Sequence, residues 1–233
     1  MNSLSELRTT VQSDLNVGDE SSLYPTTAID LAINRAYRKA GGLFPWPELM
    51  DAKKTTTQAN HDYYDYPQTW RSNSIWKVEV DGDRYGEDPD GSPLSYDDFL
   101  LWKEDNPNDT TKKWANQWRR YFITPTPSAA ALVICIHGIM NVTEMTADGS
   151  ITIFSYSAPE CNEAIALEAV AILKSKGEQE KAGEFRSTEA KTILAVAWGK
   201  IRTENAKYEK NQPFFNVPNF FGTGTNTTIG DFD

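Results

Sequence analysis

The side chains able to do chemistry are few, and their spacing argues against catalysis. His61 and His137 are the only histidines. Neither stands at metal spacing from a second ligand, and the chain holds no His-Glu-x-x-His and no Cys-x-x-Cys. His137 is expected to cap or leave a strand, and no metal or cofactor is expected. Cys135 lies inside the apolar run ALVICIHGI, and Cys161 falls at a helix start. Two isolated cysteines in a chain without an export signal are expected to be free and buried. There is no Gly-x-Ser-x-Gly elbow and no P-loop, and Gly222-Thr223-Gly224 does not stand between a strand and a helix. The acidic stretch from Asp81 to Asp90 comes nearest to a ligand set. Asp81, Asp83 and Gly86 take the first, third and sixth places of a calcium loop. Tyr85 occupies the fifth, however, and Ser92 stands where a bidentate glutamate is required. Asp81, Asp83, Tyr85, Asp88 and Asp90 are therefore read as part of a solvated turn with negative charge. The pairs Asp97/Asp98 and Glu160/Glu163 are explained as charges at helix N-termini facing the macrodipole. The tryptophans are scattered in a way that suits core and interface use. The expectation is a protein that is not an enzyme.

The elements that would position these residues follow from periodicity. Ser3-Leu4-Ser5-Glu6 forms a capping box, and Leu4, Leu7, Val11 and Leu15 follow at helical spacing. A second capping-box-like start at Thr27 to Asp30 opens a helix with Ile29, Ile33, Ala36, Tyr37 and Ala40 on one face, stopped by Gly41-Gly42. Phe44-Pro45-Trp46-Pro47 then sets an aromatic pair beside that stop. Between about Lys53 and Ile153 the period changes to two. Strands are predicted at 53–58 and 63–66 around an Asn60 turn, then at 75–80, 118–124, 131–138 and 151–154. Ile75, Lys77 and Glu79 share one side of their strand. Asn106 to Lys113 is predicted as a loop, and Ser95 caps a short helix. After Pro159 the helical period returns. One helix, 160–176, carries Ile165, Ala169, Ile172 and Leu173 on its core face. A second, 178–207, carries Phe185, Ile193, Val196, Ala197 and Ile201. Joined at Gly177, the two predict an antiparallel αα-hairpin.

The fold expected from this order is α+β: a mainly α-helical bundle with a long C-terminal αα-hairpin, an inserted small antiparallel β unit and an extended C-terminal arm. The domains would be 1–50 with 155–210 (helical), 51–154 (β-rich) and 211–233 (arm). The arm has no useful period, yet it carries Phe214, Phe215, Val217, Phe220 and Phe221. Each phenylalanine represents about 1.5–3 kcal/mol of burial free energy, so the segment should dock on its own domain or on a neighbour.

Bulk properties agree with a folded chain: 39% hydrophobic and 12% aromatic residues exclude a disordered one. A net charge of −10 opposes non-specific binding to DNA or to anionic membrane, leaving Trp118-Arg119-Arg120 as the one short basic candidate. No apolar run is long enough to span a bilayer, and the first residues do not read as a signal peptide.

Several segments, taken in order, resemble the head-to-tail adaptor (connector) proteins of tailed bacteriophages, which are related to the tail tubular proteins of short-tailed phages. These are LSELRTTVQSDL with AIDLAINRAYRKAGGLFPWPEL, then IWKVEVDGDRY with PLSYDDFLLW, YFITPTPSAA and APECNEAIALEAVAIL with its long partner helix. The resemblance implies a homo-oligomeric ring, typically a dodecamer, set between the portal protein and the tail or nozzle proteins. Genomic DNA would pass through its lumen without specific binding, and no membrane would be involved. It implies a virion protein of the capsid neck, assembled in the bacterial host cytoplasm. The helical hairpin, with Ile165, Ile172, Phe185, Ile193 and Val196, would build the ring. The arm would dock on the portal or on a neighbouring subunit, and the β unit, with Asp81, Asp83, Tyr85, Asp88 and Asp90, would face the tail. The alternative is a partner- or carbohydrate-binding β module of a phage tail protein.

Overall fold

Ser3 caps the first helix through both halves of its box. Its hydroxyl accepts from the Glu6 amide at 3.3 Å, and its own amide donates to Glu6 Oε2 at 2.9 Å. In the computed structural model, which describes residues 3–17, 23–86, 92–175 and 180–208, this helix is α1 (Leu4–Leu15). The remaining elements are α2 (Thr26–Leu43), β1 (Met50–Thr56), β2 (Tyr63–Asp65), β3 (Lys77–Val80), β4 (Asp83–Tyr85), α3 (Tyr96–Asp105), β5 (Lys113–Gln117), β6 (Arg120–Thr124), β7 (Val133–Ile139), α4 (Glu160–Lys174) and α5 (Glu180–Tyr208). The described residues form two compact units: 3–50 together with 139–208, and 51–138.

The expected mainly helical bundle with a long C-terminal hairpin is not what forms. The described residues make a mixed α/β protein of five helices and two sheets with seven strands. In the first unit α4 is the centre rather than one arm of a hairpin. Eleven of its residues, from Cys161 to Leu173, are buried, and α1, α2 and α5 all pack on it. A helix apolar on nearly every side has to be enclosed on every side. Its buried Glu168 is paired with Lys39 of α2.

Two helix signals resolve differently from their local reading. α2 starts after Pro25 without a side-chain cap. The carboxylate expected in its capping box, Asp30, instead receives Arg8 of α1 in a two-pronged pair at 2.8 and 2.9 Å. α2 also runs through Gly41-Gly42 to Leu43. A Cβ on Gly41 would lie 2.1 Å from Val142 Cγ2, so this glycine serves close packing and not termination. The stop comes at Phe44-Pro45, where the residue before proline is driven out of the helical region. Buried Asn34 then ties α2 to the 140s segment, accepting from the Met145 amide at 2.8 Å and donating to its carbonyl at 3.0 Å. The predicted strand at 151–154 is a single bridge between Ser3 and Ile151, followed by a 3-10 turn at Ile153–Ser155.

In the second unit one sheet has the order β1-β7-β3-β4, with β3 antiparallel to both β4 and β7. The other has the order β2-β6-β5 and is antiparallel throughout. The predicted strands on either side of Asn60, β1 and β2, thus belong to different sheets. So do β6 and β7. β5 begins at Lys113, where the predicted 106–113 loop ends, and takes up residues given no element, and Trp118, read as a strand start, sits in the turn between β5 and β6 with φ 56°. KWANQ carries a weak β signal, and Trp-Arg is not the Asn-Gly type of turn that marks a hairpin. By contrast, Asp81-Gly82 is such a turn, with φ 53° and 84°, and it closes β3 onto β4. Ile75 and Trp76 precede the strand that was expected to include them.

Candidate functional site

Alternation along β7 decides which of its side chains are available. Ile134, Ile136 and Gly138 point into the core of the second unit, while Val133, Cys135 and His137 face outward. His137 is therefore inside the strand, opposite Lys77, and does not end it. Cys135 is half-buried, not buried as expected. On β3, Lys77 and Glu79 share the outward face, because Val78 and Val80 fill the core. The register sets Glu79 directly opposite Cys135.

These side chains converge. Cys135 Sγ lies 3.7 Å from His137 Nε2, and Glu79 Oε2 lies 3.8 Å from the same nitrogen. The three ligand atoms fall within 4.8 Å of one another. Lys77 Nζ holds the other carboxylate oxygen, Oε1, at 2.6 Å. Burial pushes the His137 imidazolium below its ordinary range; the Lys77 charge adds to this, and Glu79 opposes it. Sequence reading missed this cluster because Glu79 stands far from the other two along the chain. The available signal was Cys-x-His on an alternating strand, a spacing that sets two ligands on one face.

The other residues expected to be functional are dispersed. Asp81 and Asp83 are exposed, and Asp83 pairs with Lys112 at 2.7 Å. Tyr85 is buried at 5% exposure, so it belongs to the core and not to a tail-facing surface. Asp88 and Asp90, like Phe214, Phe215, Val217, Phe220 and Phe221, lie outside the described residues. Ile165 is buried, and Ile172 and Ile193 are half-buried. Phe185 and Val196 are 71% and 54% exposed. The face of α5 turned inward carries Gly183, Ala190, Leu194 and Ala197 instead. At Gly183 a Cβ would come within 3.1 Å of the Ala171 carbonyl, so small residues permit the close approach of α4.

The outer face of α5 is a surface of its own. Phe185, Thr192, Val196, Gly199 and Thr203 recur at helical spacing and are exposed. The hydroxyls of Thr188, Thr192 and Thr203 each donate to the carbonyl four residues back, at 3.0, 3.0 and 2.8 Å. With those hydroxyls satisfied inside the helix, the strip presents methyls and one aromatic ring. In the second unit Trp118 is 75% exposed at its turn, and Arg120 sits 5.0 Å over the ring of Tyr63.

The two thiols differ sharply. Cys161 is fully buried in α4, and burial, with the charges of Glu160 and Glu48, pushes its thiol up to about 12. A thiol of that kind is only about 10⁻⁴ ionised at pH 8, and the thiolate is the reactive form. In the native protein Cys135 is therefore expected to react with an aromatic disulfide reagent at least about 100-fold faster than Cys161. Cys161 should follow only on unfolding. Two thiols reacting together before unfolding would contradict this assignment.

No known protein-family model matches the chain, and a search of curated proteins found no similar sequence. No helix among the described residues is long and apolar enough to cross a membrane.

Proposed function

We propose that the chain is a non-enzymatic structural subunit of the head-to-tail adaptor type, assembling into a ring through the outer face of α5. One observation carries this reading: an uncharged strip from Phe185 to Thr203 that nothing among the described residues covers. Singly exposed apolar residues are ordinary, but Phe185 and Val196 joined by uncharged threonines and a glycine over five helical turns make a face suited to contact. The acidic charge of the chain suits a channel wall that must not hold DNA tightly. Portal and tail proteins are the partners, and the Phe-rich 211–233 segment supplies a second dock.

The test mixes the purified chain with the portal protein of the same particle and images the product by electron microscopy. Rings on the portal are expected for the native chain. The double variant Phe185→Ser, Val196→Asp should lose them by at least tenfold in occupancy while keeping its melting temperature, because both side chains are exposed. Unchanged rings would remove α5 as the ring contact.

Trp118 favours a second reading, a partner- or carbohydrate-binding β module. A tryptophan held exposed at positive φ is costly unless it contacts something. Quenching of Trp118 fluorescence by soluble glycans, lost in Trp118→Ala, would favour that module over the ring.

A further inference from the structure

We propose that Glu79, Cys135 and His137 form a binding site for a divalent transition-metal ion of the zinc class, on the outward face of the β1-β7-β3-β4 sheet. The site is independent of the ring reading, since it uses none of the residues of α5.

The argument begins with hydrogen-bond arithmetic at one atom. Both contacts of the cluster fall on His137 Nε2, the thiol at 3.7 Å and the carboxylate at 3.8 Å. A neutral imidazole nitrogen is either a donor or an acceptor. If Nε2 carries a hydrogen it serves Glu79, and the Cys135 thiol has no acceptor there. If it is bare it can accept from Cys135, but its lone pair then faces a carboxylate oxygen. One cation between the three atoms satisfies all of them at once.

This convergence also separates the cluster from a nucleophile relay. In a Cys-His-carboxylate relay the thiol and the carboxylate engage opposite ring nitrogens, so that the carboxylate orients the base. Here they share one nitrogen, an arrangement suited to ligation and not to proton relay.

Size and chemistry agree. Tetrahedral ligation with Zn–S of about 2.3 Å and Zn–N of about 2.0–2.1 Å places neighbouring ligand atoms about 3.4–3.5 Å apart. The observed 3.7 and 3.8 Å to His137 need to close by a few tenths of an ångström, and the thiol and carboxylate, which lie within 4.8 Å of each other, close further as the side chains turn onto the ion. Thiolate, imidazole and one carboxylate oxygen form a borderline-soft set that selects zinc-like ions over magnesium or calcium. Lys77 grips Oε1 and leaves Oε2 turned to the centre, the kind of outer contact that orients a metal ligand. Thiolate and carboxylate together outweigh the Lys77 charge. Glu79 and His137 keep 25% and 29% of their side-chain surface exposed, which gives an ion its entry path. Three protein ligands leave a fourth position for water.

The experiment uses the full chain, stripped with a chelator and titrated first with Co²⁺ and then with Zn²⁺. One equivalent of cobalt is expected to bind with a near-ultraviolet thiolate-to-cobalt charge-transfer band, which zinc then displaces. Cys135→Ser should abolish the band, His137→Ala and Glu79→Gln should weaken zinc binding at least tenfold, and Cys161→Ala should change neither. Zinc should also slow alkylation of Cys135 in the native chain, a readout that needs no variant. Cobalt binding without the band, a band that survives Cys135→Ser, or alkylation unaffected by zinc would each overturn the site.

Discussion

Trp46→Ala is expected to lower the stability of the helical unit by about 3–5 kcal/mol, the range for emptying an enclosed aromatic site. Trp46 has no exposed surface. Its ring meets Phe154 at 4.8 Å, Phe44 at 5.5 Å and Trp198 at 5.6 Å, all close to edge-on, and its indole N–H donates to the Ala40 carbonyl at 2.9 Å. These partners come from the end of α2, the turn before α4, and α5. One side chain therefore joins segments that are remote in the chain. Aromatic pairs of this geometry contribute about 0.5–1.5 kcal/mol each beyond buried area, and the lost hydrogen bond leaves a carbonyl unsatisfied at a cost of about 1–3 kcal/mol. Urea unfolding followed by far-ultraviolet circular dichroism measures the loss. Trp46→Phe keeps much of the packing and should cost about half as much or less. A change below about 1 kcal/mol for Trp46→Ala would show that the cluster does not hold these segments together.

Gly138→Ala is the second large effect, and here adding one methyl does the damage. A Cβ on Gly138 would stand 2.2 and 2.3 Å from two carbons of the Trp70 ring, which is itself fully buried. Trp70 has little room to retreat. Its carbonyl accepts from Arg119 at 2.6 Å, and the same guanidinium donates to the Pro67 carbonyl at 2.9 Å, so the turn carrying the ring is pinned. Overpacking of this kind costs about 1–3 kcal/mol and occasionally more, and a rigid indole places this case at the upper end. A double-mutant cycle with Trp70→Leu tests the cause. The smaller side chain should make room for the methyl, giving a favourable coupling of at least about 0.5 kcal/mol. Purely additive losses would mean that Gly138 is required for its backbone and not for the indole lying over it.

The cysteine and α5 results separate what local pattern can and cannot convey. The α5 sequence has apolar residues on more than one side. The inward side proved to be Gly183, Ala190, Leu194 and Ala197, leaving Phe185 and Val196 outside. Size explains the choice. α4 approaches closely only where α5 is small, and a phenylalanine at that contact would hold the helices apart. The sequence also underestimated the strands. A run such as KWANQ is held by its cross-strand partners in β6, and its own propensity is too weak to announce it.

By itself the sequence determined the features that need only a few neighbouring residues. The Ser3-Glu6 box, the Ser95 cap, the Asp81-Gly82 turn and the Phe44–Trp46 pair all follow from groups close together in the chain. Tertiary structure alone decided the pairing of strands, the enclosure of α4 and the meeting of Glu79 with Cys135 and His137. Alternation says which face a side chain occupies, but it does not say which strand lies alongside. That choice is made by hydrogen bonding and burial over the whole unit, and here it set a carboxylate opposite a thiol and within reach of an imidazole.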